Sequence, residues 1–96
     1  MQKEKVVIPM TTLEFYKYEK DGITYYEFDA TECCAPEPMV NTMNALRVIQ
    51  NDKARLVGRF FHEPTPLYAK ISQFFDYEAK ELENGDFEIV FQVKKS

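Results

Sequence analysis

The 96-residue chain contains no tryptophan, one histidine, two cysteines and three glycines. Each shortage closes off a class of protein. Two cysteines, adjacent at positions 33 and 34, make no disulfide framework, because sequence neighbours bridge only through a strained ring. Free thiols in a reducing compartment are the expectation, and a cytoplasmic location with it. Three scattered glycines supply no phosphate-cradling loop, and no Ser-His-Asp set or catalytic carboxylate pair can be identified. Neither a cofactor nor catalysis is therefore expected. Long apolar runs are also missing: Val6-Val7-Ile8 stops at Pro9, too short for a signal-peptide core or a membrane span, so no membrane partner is expected. Positive charge is in deficit, with 12 Lys and Arg against 16 Asp and Glu for a net charge of −4 and a pI near 5.0. The basic residues are scattered, which argues against nucleic acid as a partner.

What the chain does have is apolar and aromatic substance. Hydrophobic residues make up 45% and aromatics 15%, with eight Phe and six Tyr. At this length one core can bury about two-thirds of the unfolded surface, and a second core is not available. Residues 1–96 are expected to form a single domain whose interior is built from Phe and Tyr rings.

Periodicity divides the chain into elements. Thr12 to Tyr18 and Ile23 to Phe28 alternate with a period of two around Glu19-Lys20-Asp21-Gly22, a hairpin with an Asp-Gly turn. From Pro36 the apolar spacing lengthens to three or four residues through Met39, Met43, Leu46 and Ile49, with Val40 widening the stripe. This predicts an amphipathic helix ending near Asn51-Asp52, with Pro36 and Pro38 in a first turn that needs no N–H from them and Glu37 favoured by the helix dipole. Met39 and Met43 read as core filling. Ala54 to Phe61 fits a buried strand. Thr65 is a natural N-cap and Pro66 a natural first residue of a second helix, with Leu67, Ile71, Phe74 and Phe75 on its inner face. Lys80-Glu81-Leu82 and Phe87 to Val93 flank an Asn84-Gly85 turn. The order β-(β-α-β-α-β-β) predicts an α+β fold, a two-layer sandwich with two helices on one face of a mixed four- to five-stranded sheet. The segment from about Ile23 to Phe61 should be a parallel crossover.

These motifs carry a resemblance. Pro36-Glu37-Pro38-Met39 opening a helix after a strand that closes on Asp29 resembles the TusA/SirA-like sulfur-carrier fold, whose hallmark is Cys-Pro-x-Pro at the helix start. His62-Glu63-Pro64-Thr65-Pro66-Leu67-Tyr68 resembles the signature of an uncharacterised branch of that family, a domain of unknown function on the same β-α-β-α-β-β scaffold. The likeness covers roughly residues 26–94 and leaves 1–22 as an N-terminal extension with an extra hairpin strand. In the family the cysteine directly precedes the first proline. Here that position is Ala35, and Cys34 stands one residue too early, so carrier chemistry does not transfer on the motif alone.

Two loops are candidates for function. If the strands ending near Phe28 and Phe61 run parallel, the loops after them leave the same rim of the sheet, where open α/β sheets bind ligands. That rim would hold Cys34, Ala35, Pro36, Glu37, Pro38, His62 and Glu63. The first expectation is a non-catalytic binding or accessory module that docks a protein partner or small ligand there. The second is a thiol-based sulfur carrier or redox protein in which Cys34, or Cys33, accepts persulfide sulfur with help from His62; a helix start lowers a thiol pKa, while Glu32 and Glu37 push it up. A third is metal binding through Cys33, Cys34 and His62, an incomplete zinc set. Each has a plainer counterpart in unreactive loop thiols and a lone hydrogen-bonding histidine. The tyrosines Tyr16, Tyr18, Tyr25 and Tyr26 are expected to leave an aromatic patch on the uncovered sheet face, a contact surface for a homodimer or another partner.

Overall fold

A computed structural model describes residues 2–94. The chain forms β1 (Glu4–Val6), β2 (Phe15–Lys20), β3 (Ile23–Ala30), α1 (Glu37–Leu46), β4 (Ala54–Phe60), α2 (Thr65–Ile71), β5 (Phe75–Glu81) and β6 (Phe87–Val93). The strands make one mixed sheet in the order β1-β2-β3-β4-β6-β5. Among the described residues only β3 and β4 are parallel, joined through α1; the other neighbours are antiparallel. The result is the expected two-layer α+β sandwich with both helices on one face.

Among the described residues the sheet has six strands, not four or five. The addition is β1, which pairs Glu4, Lys5 and Val6 with Lys17, Tyr16 and Phe15. It is short and charged, as edge strands are when they must not pair with other chains, and so carries no apolar alternation to betray it. Residues 2–22 thereby contribute two strands to the sheet and Ile8 and Phe15 to the core.

Residues paired directly across strands share a face. Phe28 lies opposite Gly58 and Ala30 opposite Phe60, and Leu56 opposite Phe91. These residues pack with Ala45, Leu46, Ile49, Leu67 and Ile71 from the helical layer. The first hairpin closes on two residues, Asp21 at φ 54° and Gly22 at φ 80°, the primed turn whose twist matches that of the strands. The second closes on five. There Gly85 N–H bonds Leu82 O at 2.9 Å and Leu82 N–H bonds Asp86 O at 2.7 Å, with only Gly85 at positive φ, a turn completed by a glycine bulge.

The helices depart from expectation. α1 stops at Leu46, five residues before Asn51, and buries Asn41, Thr42, Ala45 and Leu46. Met43 is 38% and Val40 44% exposed, so the apolar stripe is displaced and Met43 is not core filling. Met39 packs partly on the core and Ile49 is fully buried just beyond the helix end. The displacement comes from polar residues that satisfy themselves inside: Thr42 Oγ1 donates to Pro38 O at 2.8 Å, and Asn41 is bonded on both sides of its amide. In α2, Pro64 takes the N-cap position without a side-chain bond, so Thr65 is the first helical residue and Pro66 follows it. The helix ends at Ile71 and leaves Phe74 63% exposed. Phe75 opens β5 instead of extending the helix face, because Asp76, Glu78 and Lys80 alternate with Phe75, Tyr77 and Ala79 at strand period. Among the described residues no helix is long and apolar enough to cross a membrane.

Candidate functional site

The register Ala30 opposite Phe60 brings the C-terminal ends of β3 and β4 to one edge. The loops 31–36 and 61–64 leave from that edge, as their spacing requires. In the first loop Asp29 Oδ1 accepts from Thr31 N–H at 2.8 Å and Thr31 Oγ1 at 2.6 Å, turning the chain sharply after β3. The thiol of Cys33 then points back to Ala30 O, 3.4 Å away. It is half-buried, while Cys34, Ala35 and Pro36 are exposed, and both cysteines are free. Burial, followed by the nearby Glu37 carboxylate, raises the Cys33 pKa above its ordinary value. Cys33 is thus a neutral, weakly donating thiol.

The helix start does little to reverse this. A thiolate is stabilised there by free N–H groups and the dipole. Pro36 and Pro38 have no N–H, and that of Glu37 already bonds Cys34 O at 3.0 Å. Of the expected first-turn residues, Pro38 and Glu37 lie in the helix and Pro36 stands at its N-cap, behind a cis Ala35–Pro36 bond.

In the second loop His62 is exposed, its ring centroid 4.5 Å from that of Phe61 in an edge-on arrangement. Phe61 itself is 59% exposed, outside the strand in which the sequence places it. Glu63 accepts from Tyr68 Oη at 3.1 Å. Burial first, and this bond second, push the Tyr68 phenol above its ordinary value, and its ring stacks on Tyr77 at 3.8 Å. His62 shares the rim with the cysteines but hydrogen-bonds neither. Among the described residues no three His, Cys, Asp or Glu side chains converge on a point that could hold a metal, so Cys33, Cys34 and His62 do not form a ligand set.

The opposite face of the sheet carries what the sequence only half reveals. Tyr16, Tyr18 and Tyr25 lie on it, paired with Glu27, Tyr25 and Tyr18 respectively. Tyr18 and Tyr25 stack at 5.1 Å. Tyr26 does not belong to this patch, because it stands opposite Leu56 on the core side. A shallow depression of about 460 Å3 opens there, lined in part by Tyr16, Glu27, Val57, Arg59 and Glu88. Ion pairs join Lys3 to Glu27, Lys5 to Glu14 and Arg59 to Glu88. The charged members were findable in principle, since once the strand order is known period-two alternation assigns each to a face. Phe61 was not, because an apolar residue at a strand end reads as core.

In comparisons with known proteins, no family model, no curated protein and no solved structure matches the chain.

Proposed function

We propose that the protein is a non-catalytic binding or accessory module of the reducing cytoplasm, built on a scaffold like that of the TusA/SirA-like sulfur carriers, and that it docks a protein partner or small ligand at the rim of Cys34, Ala35, Pro36, Glu37, Pro38, His62 and Glu63. The observation that carries this reading is the depleted start of α1. Two prolines and the bonds from Glu37 N–H to Cys34 O and Val40 N–H to Pro36 O leave few of the donors a reactive thiolate needs, and burial and Glu37 raise the Cys33 pKa. The element order from β3 to β6 is the order the resemblance implies, and it supports the choice of scaffold. Exposed Phe61 and His62 give the rim an aromatic contact surface. One observation favours the thiol-carrier reading: Cys34 is free and exposed beside a helix start.

Two measurements decide between them. After incubation with inorganic polysulfide as the sulfur donor, intact mass spectra of the wild type and Cys34→Ser are expected to coincide. A one-sulfur increment present in the first and absent from the second would favour the carrier. Affinity capture from cells of the source organism is expected to enrich a partner with the wild type that is lost with both Ala35→Arg and His62→Ala, with melting temperatures preserved.

A further inference from the structure

From the placement of charge on the uncovered face we infer that two copies of this chain pack sheet to sheet, related by a twofold axis that runs along the strands between β3 and β4. The register fixes the rows. One row crosses the face as Lys3, Tyr18, Tyr25, Arg55, Gln92 and Asp76; the next begins with Lys5 on β1 and ends with Glu78 on β5. Over these two rows the β1 edge is basic and the β5 edge acidic; Lys80 stands one row further along β5. An isologous interface sets the same patch against itself, so the axis direction decides which charges meet. An axis across the strands lays β1 on β1 and β5 on β5, like on like. An axis along them lays β1 on the second copy's β5, so that Lys3 meets Asp76 and Lys5 meets Glu78, row for row.

The centre agrees with the edges. Under the same operation Tyr25 faces Arg55 of the second copy, a cation–π geometry, and Asp29 faces Arg59, which stands in the third row with it. Two like-charged pairs oppose this arrangement. Glu14 meets Glu88, each also paired within its own chain, to Lys5 and Arg59; and Lys20 meets Lys94 at the end of the face, where both are exposed and their long side chains can turn to solvent. The depression lies close to the axis and faces its own image, so its charged lining stays hydrated, as interfaces commonly are. Size is compatible too. Strands of three to eight residues at about 4.8 Å spacing give a face of about 600 Å2 before corrugation and side chains are added, within reach of the roughly 800 Å2 per partner of a stable dimer. The rim loops lie at the ends of the strands, off this face. An axis along the strands points both rims the same way, which makes the dimer bivalent for whatever the rim docks.

Sedimentation equilibrium on the full chain is expected to give a dimer. Lys3→Glu with Lys5→Glu in one variant, and Asp76→Lys with Glu78→Lys in another, should each raise the dissociation constant about 10-fold or more, because each brings like charges together at two edges. Mixing the two variants should restore wild-type affinity as a heterodimer, since every edge contact then joins opposite signs. The rescue separates a broken interface from a broken fold, and circular dichroism of each variant checks the latter. Should either double variant fail to fold, Lys5→Gln and Glu78→Gln, both at exposed positions, should weaken the dimer in the same sense. A monomeric wild type at millimolar concentration, a dimer indifferent to these changes, or folded variants that fail to rescue each other would each overturn the inference.

Discussion

At position 58 a Cβ would lie 2.8 Å from Cζ of Phe28 and 2.8 Å from Cε1 of Phe60. Those two rings meet edge to face with centroids 5.7 Å apart, and the missing side chain of Gly58 is the space they share. A glycine inside an apolar run weakens a strand on paper, yet here it admits two Phe rings. Gly58→Ala is expected to cost about 1–3 kcal/mol, since the rings must leave their rotamers to admit one carbon, read as a lower urea midpoint with an unchanged slope. The thiols offer a second test at this scale. Cys33 is half-buried, hydrogen-bonded to Ala30 O and raised in pKa by burial and Glu37, whereas Cys34 is exposed. Iodoacetamide at pH 8 should therefore label Cys34 first, with Cys33 lagging until denaturant is added. Equal rates for the two would contradict the neutral, sheltered thiol described above.

Between elements, Asn41 is the buried side chain that ties the strap before β2 to α1, alongside the exposed bonds from Thr12 Oγ1 to Glu37 and from Asn44 Nδ2 to Met10 O. Asn41 is fully buried; its Oδ1 accepts from Thr12 N–H at 2.8 Å and Leu13 N–H at 3.1 Å, and its Nδ2 donates to Thr12 Oγ1 at 3.0 Å and Glu37 O at 2.9 Å. Asn41→Ala leaves two strap N–H groups without partners and a cavity beside Ala45. The expected loss is about 2–4 kcal/mol, with faster amide exchange at Thr12 and Leu13 than elsewhere in the sheet; exchange unchanged at those two amides would show that the strap is held by other means. This residue also marks how far the sequence is legible. Periodicity found both helices and four strands, and β5 only at its last two residues, since the strand expected at Lys80-Glu81-Leu82 runs from Phe75 to Glu81; apolar spacing reports which elements bury a face, and most of β5 buries little. It misjudged which face of α1 is buried, because a satisfied Asn and Thr can occupy core positions that apolar counting assigns to Met43 and Val40. It missed β1 for the complementary reason, since a charged edge strand is selected for not looking apolar. The two loops of the candidate rim were legible from strand polarity alone. Their side-chain geometry was not, since the turn that aims Cys33 at Ala30 depends on Asp29 and Thr31 and leaves no periodic trace.

Across the whole molecule, most of the resolved titrations lean the same way, and that makes alkaline stability a test of the packing. Burial raises the Cys33 thiol and the Tyr68 and Tyr18 phenols, a hydrogen bond to Glu14 raises Tyr16, and the bond to Glu27 raises Lys3. In each case the folded chain holds a proton that the unfolded chain releases sooner. Below about pH 8 both states are protonated at these groups and the contribution is complete. As pH climbs past about 8.5, where an unfolded thiol titrates, and then about 10, where an unfolded phenol does, the unfolded state binds fewer protons than the folded one and stability falls with each step. Glu14, lowered by its bonds to Tyr16 and Lys5, acts with the opposite sign: its contribution is present above about pH 4.3 and is lost as pH falls below it. Urea midpoints measured at one protein concentration should therefore form a plateau through neutrality and fall steadily on the alkaline side. Tyr68→Phe should flatten the upper part of that fall, because the most strongly raised phenol is then absent from both states while its stacking on Tyr77 is retained. A midpoint that stays level to pH 10.5 in the wild type, or an alkaline limb identical in Tyr68→Phe, would mean that these rings and the thiol are no better shielded in the fold than in the open chain.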